Sequence, residues 1–124
     1  MKSRLTISEI EQLKLTADFI SNNMHRKIKL DELCAIALMN RHRLNECFNK
    51  IYGENVYGYI TTQRMQKARE LLLGTDDPIQ DIGNAIGYEY PNNFSKAYKR
   101  FYKHAPGEER KEKDITVIAD NRKI

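Results

Sequence analysis

The sequence predicts an all-α fold: two helix-turn-helix units joined by a long connecting helix, about seven helices in total. Three observations carry this reading. Apolar residues recur at steps of three and four along most of the chain, the period of a helix with one buried face. Helix-ending and helix-starting residues (Asn22-Asn23, Gly53, Gly74, Pro78, Gly87, Pro91 and Pro106) cut that pattern into pieces of helix length. One spacing also occurs twice. Leu33, Leu38, Leu44 and Phe48 stand five, six and four residues apart, while Ile82, Gly87, Phe94 and Tyr98 stand five, seven and four apart. A helix–corner–helix unit is therefore copied further along the chain, the second time with a slightly longer corner.

Bulk properties bound the possibilities. A chain of 124 residues holds one domain or two small subdomains sharing a linker. Hydrophobic content is 40%, and seven Tyr and four Phe with no Trp put much of the core volume into ring side chains. A net charge of +4 does not by itself demand a polyanionic partner. Its distribution says more: Pro91 to Lys113 carries seven Lys or Arg against three Glu, and Met24 to Tyr52 carries six against three acids. A clustered basic footprint is what a nucleic-acid surface needs; an ordinary solvated basic face is the plainer alternative. Cys34 and Cys47 fall on apolar helical faces and read as free core thiols of a reducing cytosol. Neither pairs with His25, His42 or His104 at metal-ligand spacing, so no metal is expected. No run reaches the length of a membrane span, and the N-terminal residues lack the apolar core of a secretion signal. No nucleophile–base–oxyanion set and no Gly-rich phosphate loop is present, so neither an enzyme nor a cofactor is expected.

In chain order, Ser8 with Glu11 has the form of a capping box. Ile10, Leu13, Ala17, Ile20 and Met24 then give a packing helix, roughly Glu9 to Asn23. After a basic loop, Leu30 to Ala37 forms a short helix with Asp31 and Glu32 in its first turn, where they suit the helix dipole. Leu38-Met39-Asn40 is the corner. Asn40 caps a helix from Arg41 to about Tyr52 that buries Leu44, Cys47, Phe48 and Ile51. Its outer face shows Arg41, His42, Arg43, Asn45, Glu46, Asn49 and Lys50, and Gly53 closes it as a left-handed cap. Asn55 to Leu73 is the connector, rich in helix formers in its second half. Its length of about eighteen residues corresponds to roughly 27 Å. Successive major-groove positions on one face of B-DNA lie roughly 34 Å apart, a compatible distance.

Asp77-Pro78 opens the next helix, with Asp77 as N-cap and Pro78 at the first helical position. Ile79, Ile82 and Ile86 share its inner face. Gly83 marks a close crossing, and Gly87 is the corner. Beyond the corner, Phe94, Tyr98 and either Phe101 or Tyr102 point inward. Asn92, Asn93, Ser95, Lys96, Lys99, Arg100 and Lys103 point outward. Amides near a helix start with cations along its length suit a helix laid in a DNA major groove. Asn can bridge adenine N6 and N7, and Lys or Arg takes guanine or phosphate. His104-Ala105-Pro106 ends the helix. Gly107 to Lys113 is a charged last turn, and Ile115 to Ile118 is a brief apolar run in a tail.

The most specific residues are Leu71-Leu72, Ile79-Gln80-Asp81-Ile82-Gly83, Gly87-Tyr88, the run Asn93 to Phe101, and Ala105-Pro106. Leu30-Asp31-Glu32-Leu33, Leu44, Phe48, Gly53 and Tyr59-Ile60 accompany them in the first half. Together they resemble the DNA-binding domain of the AraC/XylS family of bacterial transcription factors, from Ile28 to about Lys111. The resemblance implies such a domain over 1–111, with a first helix-turn-helix at about 30–52, a linker helix at about 55–73, a second helix-turn-helix at about 78–103, and a tail at 112–124. It implies a cytoplasmic, nucleoid-associated, sequence-specific regulator of the small stand-alone type, monomeric and acting as an activator. Its partners would be double-stranded DNA and RNA polymerase, with no membrane and no cofactor. The alternative is a module of the same fold that titrates RNA polymerase or another regulator without reading DNA. Carried over by position, the base readers would be His42, Arg43, Asn45 and Glu46 in the first unit and Asn92, Asn93 and Lys96 in the second. Arg41, Lys50, Lys99, Arg100 and Lys103 would meet phosphate, and Pro91 would start its helix. Five positions depart from the family pattern. Leu38 and Lys103 stand at usual glycines, Lys29 at a usual Ser or Thr cap, Val56 at a frequent Pro, and Glu109 at an aromatic of the closing motif.

Overall fold

The computed structural model describes residues 4–111, and among these every regular element is a helix. They are α1 (Ile7–Asn22), α2 (Leu30–Ala37), α3 (Arg41–Tyr52), α4 (Val56–Gly74), α5 (Ile79–Ala85) and α6 (Pro91–Tyr102). A last helix, α7, begins at residue 106 and runs to 111, the end of the described chain. The readings of the tail at 112–124, including the run Ile115 to Ile118, lie outside the described residues. The chain divides into two units at Gln63–Arg64, inside α4.

In the first unit, α1, α2, α3 and the start of α4 enclose Leu13, Ile20, Ile28, Leu33, Ala37, Leu44, Cys47, Phe48, Val56 and Ile60. Each large apolar side chain fully buried in such a cluster contributes about 1.5–3 kcal/mol relative to exposure. Phe48, Tyr52 and Tyr59 pack their rings together with centroids 4.6–5.3 Å apart. Ile51, expected inward, is 41% exposed on the flank of α3.

α1 starts two residues earlier than the sequence suggests, because the capping box is Thr6 with Glu9 and not Ser8 with Glu11. The Thr6 hydroxyl accepts from the Glu9 amide at 3.0 Å, and the Glu9 carboxylate accepts from the Thr6 amide at 2.9 Å. The earlier box wins because the same carboxylate also binds Arg43. At the start of α2, Lys29 has no side-chain acceptor to offer. Glu32 supplies the cap instead, accepting from the Lys29 amide at 2.9 Å while pairing with Arg26 at 2.9 Å.

At the α2–α3 corner, Leu38 sits at φ 58°, ψ 42° with its side chain 77% exposed. It corresponds to Gly87, at φ 98°, because both are the left-handed residue of their corner. Asn40 caps α3 and Gly53 closes it, as expected.

The second unit packs the rest of α4 with α5, α6 and α7 around Met65, Ala68, Leu72, Ile82, Ile86, Phe94 and Tyr98. Pro78 takes the N-cap position of α5 rather than its first helical turn, so Asp77 is not the cap; its amide donates to the Thr75 hydroxyl at 3.3 Å. Gly83 is required by close packing, since a Cβ there would lie 2.9 Å from the Phe94 ring. Along α6, Phe94 and Tyr98 are fully buried and Tyr102 half-buried, while Phe101 is 37% exposed. Tyr102, not Phe101, therefore completes the inner stripe.

α7 closes this unit. Glu109, 1% exposed, accepts from the Tyr98 hydroxyl at 2.7 Å and from Arg69 Nε at 3.1 Å, and it meets His104 Nε2 at 2.9 Å. Arg110 donates to the carbonyls of Asp77, Thr75 and Leu72 at 2.6, 3.1 and 3.3 Å, which ties α7 to the end of α4. A buried carboxylate thus stands where the resemblance implies an aromatic ring.

Candidate nucleic-acid interface

α6 owes its position to the Phe94–Tyr98 stripe, and everything opposite that stripe is polar and outward. Asn92, Asn93, Lys96, Lys99, Arg100 and Lys103 are all exposed. Residues 92, 96, 99 and 103 follow one another at steps of four, three and four, so they form one row along the helix. Pro91 occupies the first helical position. No acid interrupts the helix, and Lys99 and Arg100 lie in its last turn, where the dipole favours cations. Lys103 holds the left-handed cap position at φ 71°, and its ammonium donates to the Arg100 carbonyl at 3.2 Å.

α3 presents a different surface. Arg41, His42, Asn49 and Lys50 are exposed, and Arg41 pairs loosely with Asp31 at 3.3 Å. Arg43 and Asn45, expected to face outward, are bound within the unit. The Arg43 side chain is only 17% exposed. Its guanidinium donates to both oxygens of Glu9 at 2.7 Å, to Glu46 at 2.5 Å and to the Arg4 carbonyl at 2.9 Å. The Asn45 carbonyl oxygen accepts from the Val56 amide at 3.0 Å and so caps α4. These partners lie 34 and 11 residues away, beyond the reach of helical periodicity.

The electrostatics follow from this geometry. Hydrogen bonds from Arg43, then from the Thr6 amide, hold the Glu9 carboxyl down to about 2. Hydrogen bonds to Glu9 and Glu46 push the Arg43 guanidinium further up, so it remains charged throughout. Glu46 keeps about a third of its side chain exposed beside Asn49 and Lys50. His42, Glu46 and Asn49 therefore form the outward row of α3, at steps of four and three. Asn49 is exposed, as the sequence predicts, and shares its row with His42 and Glu46.

Among the described residues no group of three or more His, Cys, Asp or Glu is placed to hold a metal ion, and Cys34 and Cys47 are free thiols. No described helix is long and apolar enough to cross a membrane.

Comparison with known proteins places these features in context. The profile of a family described as a helix-turn-helix domain matches residues 33–112. The chain is 32% identical over 83 residues to the HTH-type transcriptional regulator MtrA of Neisseria gonorrhoeae, covering 67% of this chain and 28% of that protein. It is 30% identical over 100 residues to the lactose operon transcription activator of Staphylococcus xylosus, covering 81% of this chain and 36% of that one. Among solved structures, the C-terminal domain of the two-component response regulator yesN from Fusobacterium nucleatum is similar with a TM-score of 0.73 at 26% identity, covering 81% of this chain and 98% of that chain. The chain spans well under half the length of the two curated relatives.

Proposed function

Because this chain belongs to the AraC/XylS-type helix-turn-helix family of transcriptional regulators, we propose that it binds double-stranded DNA sequence-specifically with α6 as leading reader and α3 as second. The observation that carries this is the outward face of α6: four cations and two amides, all exposed, with no acid among them. Asn92, Asn93 and Lys96, in the first half of the helix, take base edges. Lys99, Arg100 and Lys103 take phosphate, as do Arg41 and Lys50 beside α3. In α3 the base contacts fall to His42 and Glu46, because Arg43 and Asn45 are spent on internal hydrogen bonds. We assign those two positioning roles.

The regulator acts as an activator that touches RNA polymerase from its bound site, as a monomer in the cytoplasm. Similarity to a transcription activator of a lactose operon supports that sign. No catalytic role is proposed. A second reading has a specific observation behind it. Glu46 on the reading face and the internal use of Arg43 and Asn45 weaken α3 as a DNA contact, which suits a module that titrates polymerase without reading a site.

Mobility shifts at several salt concentrations, with DNA selected from random sequence, separate the two. The DNA reader prefers one site over random duplex, loses affinity steeply as salt rises, and protects two turns of helix in a footprint. Binding that ignores sequence would leave only the titrating module. Within the reader, Lys96→Ala is expected to weaken the selected site more than random duplex, whereas Arg100→Ala weakens both alike. Asn93→Ala is expected to cost about 1–3 kcal/mol at a single base pair.

A further inference from the structure

The outward row of α3 contains a carboxylate, and the structure fixes that carboxylate from behind. Arg43 donates to Glu46 Oε1, and Arg43 is itself held by both oxygens of Glu9 on α1. No described residue engages Glu46 Oε2. The side chain is one-third exposed between His42, one turn before it, and Asn49, one turn after. The chain Glu9–Arg43–Glu46 thus presents one acceptor oxygen at a fixed place on the reading face.

We propose that Glu46 makes the first unit select a cytosine, that Asn49 reads beside it, and that Glu9 and Arg43 are the positioning residues for this contact. The proposal rests on the reading of α3 as a DNA-contacting helix. In the major groove only cytosine N4 and adenine N6 are donors. Adenine carries the N7 acceptor next to its donor, which repels a carboxylate; cytosine does not. Guanine and thymine offer a carboxylate only acceptors or a methyl group. A carboxylate brought against DNA without a donor loses its water and gains nothing in return. Glu46 therefore excludes sites as well as choosing one. Arg43 offsets its charge near the phosphates without occupying the reading oxygen. Asn49, exposed, supplies an amide whose oxygen is not drawn inward as the Asn45 Oδ1 is by the Val56 amide.

The test is site selection from random duplex with the wild-type chain, Glu46→Gln, Arg43→Lys and Glu9→Gln, followed by affinity measurements on single-base variants of the selected site. The wild type is expected to fix a cytosine outside the bases set by Asn92, Asn93 and Lys96. Replacing that cytosine is expected to weaken wild-type binding about tenfold and Glu46→Gln binding about twofold or less. Arg43→Lys and Glu9→Gln are expected to broaden the preference at that base pair while leaving the α6 bases unchanged, which a general loss of stability does not do. Unchanged cytosine preference in Glu46→Gln, or no cytosine at all in a site still read by α6, overturns the inference and spares the reading of α6. If the wild type selects no site, the proposed function falls and the inference with it.

Discussion

Two residues pay for the left-handed backbone with a side chain that glycine lacks, and they do so for different reasons. Leu38 at φ 58° and Lys103 at φ 71° are the two described non-glycine residues at positive φ. A side chain in that region costs about 1–2 kcal/mol, whereas replacing it by glycine gives back about 0.5–1 kcal/mol through the freer unfolded chain. The difference favours glycine, and Leu38, 77% exposed, loses little burial in the exchange. Leu38→Gly is therefore expected to raise stability by about 0.5–1 kcal/mol in a denaturant titration, with DNA affinity unchanged. Lys103→Gly is expected to stabilise similarly but to lower the salt slope of DNA binding by about one unit, because it removes a proposed phosphate contact. Equal salt slopes for the two variants would take Lys103 out of the interface. Gly83 is the opposite case: its Cβ would meet Phe94 at 2.9 Å, on backbone held by the α5–α6 packing. Gly83→Ala is expected to cost about 1–3 kcal/mol by overpacking.

Between residues and fold, each unit has a carboxylate that ties separate elements together by pairing with a distant arginine, Glu9 with Arg43 in the first and Glu109 with Arg69 in the second. Burial works against the ionised form of Glu109, but hydrogen bonds from Tyr98 and His104 and the charge of Arg69 outweigh it, and its pKa is lowered. The Glu9 carboxyl falls from its ordinary 4.5 to about 2. A carboxyl that is more acidic when folded adds stability above its unfolded pKa and loses it as pH falls through the folded value. Thermal stability is thus expected to fall as pH drops from about 4.5 towards 2, and Glu9→Gln is expected to flatten part of that fall while lowering stability at neutral pH. Glu109→Ala leaves a buried tyrosine hydroxyl and Arg69 without their shared acceptor, and is expected to cost about 3 kcal/mol near neutral pH, read by denaturation. A loss well under 1 kcal/mol would mean that α7 is a passive cover. These pairings were not legible in the sequence. Thr6 and Ser8 each stand three residues before a glutamate, and the distant Arg43 on the Glu9 carboxylate favours the first. Glu109 looked like a mismatch because its three partners come from α4, α6 and the loop before α7.

For the molecule as a whole, what the sequence made legible was whatever is encoded locally. The span of α2 follows from periodicity and that of α3 from its caps as well, and the outward face of α6 follows from spacing alone. What stayed hidden was each side chain claimed by a distant partner, Arg43 and Asn45 above all, since periodicity says which face a residue occupies and not what reaches over to meet it. The same logic applies to the core. The repeat in the sequence becomes two buried clusters that share no residue, one from Leu13 to Ile60 and one from Met65 to Tyr98. Phe94 is fully buried and rings with Tyr88 and Tyr98 at 5.8 Å, so Phe94→Ala removes the centre of the second cluster at a cost of about 3–5 kcal/mol. If each cluster sustains its own unit, that loss stays where it is made. Hydrogen exchange on Phe94→Ala is then expected to show the amides of α5 and α6 losing protection while those of α2 and α3 keep theirs. Equal loss in both sets would mean that α4 couples the units into a single cooperative fold.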